Sequence, residues 1–230
     1  MTTPHVSPQQ AIARLRAGNE RFIVGTRCIE ALTSGSRRAD LVEGQHPFAT
    51  ILTCSDSRVP VELLFDQGLG DLFVIRVAGN VVAPSLIGSV EYAAEVLGTQ
   101  LVVVMGHSRC GAVKATIDVA RGTGSVPSSN IGDIVERIRP GIAPVLSAAD
   151  GKDAAQVLDD AISANVRHSV EAMRNGSPLL QQRIREGKIV VLGATYDIGS
   201  GRVSFIDAPA ELLKAPSTTA RGEAAAIAAP

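Results

Sequence analysis

Three side chains able to grip a soft metal ion stand in two short stretches of this chain. Cys54 opens "CSDSR" (Cys54 to Arg58), and His107 and Cys110 belong to "HSRCG" (His107 to Gly111). Two thiolates and one imidazole suit zinc in a tetrahedral site, and three protein ligands leave a fourth position open. A His-x-x-Cys spacing on a strand-to-helix turn lets both side chains converge on one ion. Cys110 then falls near the first turn of a helix, where backbone N–H groups and the helix dipole favour a thiolate. The same residues admit other chemistry: inert buried thiols, a Cys54–Cys110 disulfide, or a Cys54 nucleophile with His107 as its base.

Asp56 and Arg58 weigh on that choice. A free carboxylate beside an ion would take the open position itself. An arginine pairing with it through two hydrogen bonds would hold it back and keep it ionised. The carboxylate is then available to accept a hydrogen bond from water at the metal. As a solvated loop pair, by contrast, the two residues would contribute little.

These residues must be positioned by the elements around them. Cys54 ends the apolar run "PFATILTC", and His107 ends "QLVVVMGH". A third run, "DLFVIRVAGN", lies between them. Such runs alternate with helical patterns: "SPQQAIARLRAGNERFIVG" with Ser7 as cap and Pro8 in its first turn, "VPVELLFDQG" after Pro60, "PSLIGSVEYAAEVLG", and "CGAVKATIDVARG" closed by Gly122. Helical material with a break at Pro140-Gly141 follows, then the long "KDAAQVLDDAISANVRHSVEAMRNG" and "SPLLQQRIREG". "KIVVLGATYDIGSGRVSFI" reads as two strands around a "GSG" turn. Continuous apolar strands alternating with helices predict an α/β fold: a mostly parallel central sheet of about four parallel strands plus a C-terminal antiparallel strand, flanked by helices. Ligands collect at the carboxyl ends of such strands, which is where Cys54, His107 and Cys110 fall.

Composition sets the outer limits. With 230 residues, 45% of them hydrophobic, and a mean hydropathy of +0.19, the chain has enough apolar material for a sizeable core. A net charge of -1, scattered basic residues, two Tyr and no Trp argue against a nucleic-acid partner. No run approaches the roughly 18 consecutive apolar residues of a membrane span, so no membrane partner is expected. The start "MTTPHVSPQQ" lacks the pattern of a secretory signal, and three cysteines make a poor disulfide framework, so the expected location is cytoplasmic. Residues 1–214 are expected to form a single zinc-dependent α/β domain with an N-terminal helical arm. Residues 215–230, "APSTTARGEAAAIAAP", read as a flexible tail.

Taken together, "CSDSR", "HSRC", their separation and the intervening "FDQGLGDLFVIRVAGN" resemble the β-class carbonic anhydrases, from about the amino-terminal helix to the closing hairpin. The resemblance implies that family's fold and the zinc-dependent, reversible hydration of carbon dioxide to bicarbonate and a proton. It implies one zinc ion per subunit on Cys54, His107 and Cys110, and a catalytic dyad of Asp56 and Arg58. Gly111 falls at the glycine whose N–H lies near substrate. Gln45, Phe73 and Tyr92 fall at substrate-pocket positions, which in plant-like members come from a neighbouring subunit. A homodimer or homotetramer is therefore expected, although Phe73 and Tyr92 also read as buried core residues. Some members hold bicarbonate at a second, inhibitory site with a Trp three residues before the first Cys. Here that position is Ile51, which implies the subtype without that switch. Cys28 matches no family position. Three rivals stay open on the sequence: a hydrolase of carbonyl sulfide or carbon disulfide using the same site, a silent scaffold with structural zinc, and a thiol redox protein.

Overall fold

The computed structural model describes residues 6–26 and 33–214. The expected tail (215–230) and Cys28 lie outside the described residues. In chain order the elements are helix α1 (Pro8–Val24), α2 (Gly35–Asp40), strand β1 (Ala49–Thr53), α3 (Val61–Leu64), β2 (Leu72–Arg76), a 3-10 turn (Ala78–Asn80), α4 (Pro84–Glu95), β3 (Leu101–His107), α5 (Gly111–Ala120), α6 (Ser129–Ser147), α7 (Ala154–Asn175), α8 (Pro178–Arg185), β4 (Val190–Tyr196), β5 (Val203–Ile206) and α9 (Ala210–Leu213).

The five strands form one sheet in the order β2-β1-β3-β4-β5. The first four run parallel, and β5 returns antiparallel to β4. This is the α/β sheet that the apolar runs predict. Every residue of β1 and β3 is buried, because both central strands are covered on both faces. Alternate side chains feed two cores. Ile51, Val103 and Met105 join Ile12 and Leu15 of α1 and Phe65 on one face. Leu52, Val102 and Val104 join Val166, Val170 and Met173 of α7 on the other. A third cluster, built from α5, α6 and α7, contains Cys54 and Cys110 themselves.

Local chemistry sets the helix ends. Ser7 and Gln10 form a capping box at α1, Pro8 occupies its first turn, and Gly25 closes it in the left-handed region at φ 74°. Ser177 caps α8 by accepting from the Leu180 N–H.

One expectation fails. Helix α6 runs unbroken through Pro140 and Pro144. A proline inside a helix costs about 3 kcal/mol, and the buried stripe of Val135, Ile138 and Ile142 offsets that loss. Gly141 serves close packing instead: a Cβ there would sit 2.6 Å from Cβ of His168 on α7. Alanine is the better helix former by about 1 kcal/mol, but overpacking of this kind costs about 1–3 kcal/mol. Gly141→Ala is therefore expected to lower the thermal midpoint by a few degrees. Calorimetry of the two proteins checks this, and a raised midpoint would mean that α6 and α7 separate easily.

Candidate metal centre

The carboxyl ends of β1 and β3 lie side by side because Thr53 pairs with Met105 in parallel register. Cys54 follows Thr53, and β3 runs on two residues to His107. Past His107 the chain takes a left-handed conformation at Arg109 (φ 58°) and enters α5, with Cys110 as its N-cap. The turn is tied to the end of β4: the Ser108 N–H donates to the Tyr196 carbonyl at 2.8 Å, and Ser108 Oγ accepts from the Ile198 N–H at 3.0 Å. As a result the two sulfurs and an imidazole nitrogen all lie within 4.8 Å of one another, and all three residues are buried.

The donor set fits a metal ion. His107 Nδ1 lies 3.0 Å from the Ser108 carbonyl, an acceptor, so Nδ1 carries the proton and donates. That leaves Nε2 with a free lone pair, and Nε2 is buried with no hydrogen-bond partner among the described residues. A buried orphan acceptor is costly unless something fills its lone pair. Zinc bonds of about 2.0–2.3 Å place neighbouring tetrahedral corners roughly 3.3–3.8 Å apart, so small adjustments bring these three atoms onto one ion.

The sulfurs are already biased toward that use. A hydrogen bond from Cys110 pulls the Cys54 thiol down, with help from the backbone N–H groups of Gly79 and Asp56, against the opposing effect of burial. The Gly79 N–H donates to Cys54 Sγ at 3.3 Å. Cys110 is pushed up by the same shared proton and by burial, while the N–H groups of Val113 and Ala112 pull it back. The two sulfurs thus favour sharing one proton over holding two. A cation replacing the shared proton would leave the N–H groups of α5 to stabilise the Cys110 thiolate.

Asp56 stands at the edge of the trio. Its Oδ1 accepts from Arg58 Nε and from the Arg58 N–H, each at 2.9 Å, and its Oδ2 accepts from Arg58 Nη2 at 2.7 Å. Oδ2 is also 3.8 Å from His107 Nε2. The Arg58 guanidinium holds the Asp56 carboxyl well below the usual carboxylate range, so the group is an anion at any ordinary pH. Sequence reasoning missed Arg76. Its Nε donates to the Cys54 carbonyl at 3.2 Å and its Nη2 to the Asp56 carbonyl at 2.6 Å, clamping the loop from beneath. The available signal was a lone charge closing the apolar run "LFVIR", on the strand that pairs with β1.

Gly111 is the first residue of α5, and a Cβ there would meet nothing within 4 Å. Gln45 and Tyr92 come together elsewhere. With Leu41, His46, Val96 and Leu97 they line a surface cleft of about 460 Å³ that none of Cys54, Asp56, Arg58, His107 and Cys110 borders. Tyr92 is 48% exposed, which corrects its reading as a buried helix residue. Its ring stands 6.2 Å from that of Phe73, which is half-buried on β2. A larger groove, about 590 Å³ between α1, β5 and α9, contains none of these residues.

A parallel sheet whose carboxyl edge carries a buried Cys2His trio, with an arginine-held carboxylate beside it, defines an α/β enzyme with a candidate metal centre. The family model described as carbonic anhydrase matches residues 49–203. Carbonic anhydrase 2 of Mycobacterium tuberculosis is 39% identical over 204 residues, 89% of this chain and 95% of that one. The carbonic anhydrase of Mycolicibacterium smegmatis is 40% identical over 202 residues, covering 88% and 95%. A tetrameric β-carbonic anhydrase of the filamentous ascomycete Sordaria macrospora superposes with a TM-score of 0.66 at 27% identity, over 74% of this chain and 86% of its own. This chain belongs to the β-class carbonic anhydrase family and is an enzyme of that kind. Among the described residues no helix is long and apolar enough to cross a membrane.

The geometry around Ile51 bears on inhibition. Ile51 is fully buried in the core, and Arg76 is committed to two backbone carbonyls. Crystals soaked in bicarbonate at moderate pH are expected to show no anion beside Ile51 and Asp56 still on Arg58. Density there, with Asp56 swung toward the metal position, would overturn this.

Proposed function

We propose that the chain hydrates carbon dioxide reversibly to bicarbonate and a proton, with one zinc ion per subunit on Cys54, His107 and Cys110 and with Asp56 and Arg58 as the catalytic dyad. The observation that carries this reading is the placement of Asp56: within 3.8 Å of the orphan His107 nitrogen, yet with both oxygens engaged by Arg58. Structural zinc usually has four protein ligands and needs no such carboxylate. When bound, zinc supplies a Lewis acid that makes water a nucleophile near neutral pH.

The chain's own residues do the rest. Asp56 accepts a hydrogen bond from the attacking water and so aims its lone pair at the carbon of CO2. Arg58 keeps Asp56 ionised and away from the metal. The Gly111 N–H, at the start of α5, donates to a substrate oxygen in this reading. The proton released as bicarbonate forms passes to buffer. Two thiolates offset the charge of the ion, so activity is expected to rise with pH.

Gln45, Phe73 and Tyr92 complete the substrate pocket from a second copy of the chain. Support comes from the grouping of Gln45 and Tyr92 at a cleft apart from their own trio, with the Phe73 ring against that of Tyr92, and from the exposed apolar surface of Tyr92, Val96 and Val42. The tetrameric Sordaria relative is consistent with such an assembly. The catalytic unit is thus at least a homodimer. A reducing cytoplasm suits a site that needs both free thiols, Cys54 and Cys110.

Metal analysis should find about one zinc per chain, with full content retained in Asp56→Ala and Arg58→Ala. Both variants should lose activity in a CO2 hydration assay, Asp56→Ala by about a hundredfold or more. An Asp56→Ala enzyme with the parent rate would remove the dyad. Gln45→Ala should lower kcat/KM about tenfold, the worth of one hydrogen bond, with zinc content unchanged. An unaltered kcat/KM would take Gln45 out of the pocket.

A further inference from the structure

Helix α7 presents a buried stripe to the sheet and to α6: Ile162, Val166, Val170 and Met173, interrupted by Asn165 and Ser169. Asn165 is 0% exposed. A buried carboxamide in an apolar stripe is unfavourable unless its hydrogen bonds are made, and Asn165 makes only part of its set. Its Oδ1 has no partner among the described residues. Its Nδ2 donates to the Gly79 carbonyl at 2.8 Å. That one bond is what the side chain does in the fold.

Its acceptor lies in the turn Ala78–Asn80, where two successive residues have positive φ: Gly79 at 72° and Asn80 at 46°. The second is unfavourable for a residue with a side chain, so the turn needs an outside grip. A side chain at Gly79 would be strained at φ 72° and would press on Ile138 Cδ1 at 2.7 Å and Ala112 Cβ at 3.1 Å. The other polar group of Gly79, its N–H, donates to Cys54 Sγ at 3.3 Å. An unbroken path therefore runs from α7 to the metal trio: the Asn165 carboxamide, the Gly79 backbone, and the Cys54 sulfur.

We infer that Asn165 is a positioning residue for the metal centre, which holds the Gly79 turn so that its N–H points at Cys54 Sγ and fixes that sulfur for the ion. The inference rests on the zinc reading above. A hydrogen bond to a ligating sulfur restricts where the sulfur sits and stabilises its thiolate. Without Asn165 the turn is free to rotate the Gly79 N–H away, and Cys54 loses the one backbone donor that, among the described residues, reaches it from outside its own loop.

The test uses the full chain, loaded with zinc or with cobalt(II). Asn165→Ala removes the donor, and Asn165→Leu removes it while keeping the volume. Asn19→Ala is the control: Asn19 is also buried, and its Nδ2 donates to the Leu64 and Gly201 carbonyls rather than to the Gly79 turn. Chelator competition should show zinc held about tenfold more weakly in either Asn165 variant, and the sulfur-to-cobalt charge-transfer band should shift. Asn19→Ala should unfold at lower temperature with zinc affinity and band unchanged. Parent-like affinity and band in a folded Asn165 variant, or equal shifts in Asn19→Ala, would overturn the inference and leave the zinc reading standing. A parent chain that takes up no zinc overturns both. If neither Asn165 variant folds, the cadmium-113 form of the parent decides. The Gly79 amide proton should couple to the metal through sulfur, and the Asn165 carboxamide should couple to the Gly79 carbonyl carbon. The absence of either coupling overturns the inference.

Discussion

The parallel pairing of β1 with β3 is the contact on which the centre depends. Cys54 and His107 are more than fifty positions apart, and nothing local could bring them together. The register that sets Thr53 against Met105 does so. It holds because both strands are buried on both faces, so a slip would move Ile51, Val103 and Met105 out of one core and Leu52, Val102 and Val104 out of the other. The position of the sulfur is thus set by many apolar contacts rather than by any polar one. This also explains why reactive groups can sit at the strand ends at little cost to the sheet: the ladder is complete before Cys54 begins.

Around that frame the polar groups share one effect, to relieve the crowding of acidic groups at a site whose donors fit a cation. Two thiols and a carboxylate converge within a few ångströms, which is unfavourable for charges of like sign. Arg58 takes up both oxygens of Asp56, and Cys110 shares its proton with Cys54. Arg76 grips the carbonyls of Cys54 and Asp56, which fixes the loop without touching its side chains. Arginine suits both positions because its planar fork reaches two acceptors at once, where a lysine ammonium would act as a single point of charge.

Much of this was legible in the sequence. The strands were, because runs such as "FATILT" and "LVVVMG" have no polar alternation and fit only a sheet covered on both sides. The trio was, once parallel strands were accepted. What stayed hidden acts through backbone. Arg76, Gly79 and Asn165 each work on or as a main-chain group, and residue type says little about which carbonyl a side chain will find. The Pro140-Gly141 pair was misread for a related reason. Its local preference is to break a helix, but Gly141 is there to admit His168 of α7, and tertiary packing outweighs the preference. Tyr92 was misread because a periodic apolar face does not distinguish a core from a surface awaiting a partner.

That last ambiguity has a physical root. A catalytic pocket for a small, nonpolar, linear molecule must exclude bulk water yet open to it for proton release. In a single chain the trio lies at the carboxyl edge of β1 and β3, and the Gln45–Tyr92 cleft lies apart from it. The trio is buried, whereas the cleft opens on the surface beside the exposed Tyr92. Joining a trio to the cleft of another copy would bury the Phe73–Tyr92 ring pair and wall the reacting centre with apolar surface, so that assembly and water exclusion become the same event. On the proposed assembly, exposed aromatic area on α4 would lower the solubility of the lone chain but favour the complete pocket, so that the folded subunit would be completed as an enzyme only by its partner.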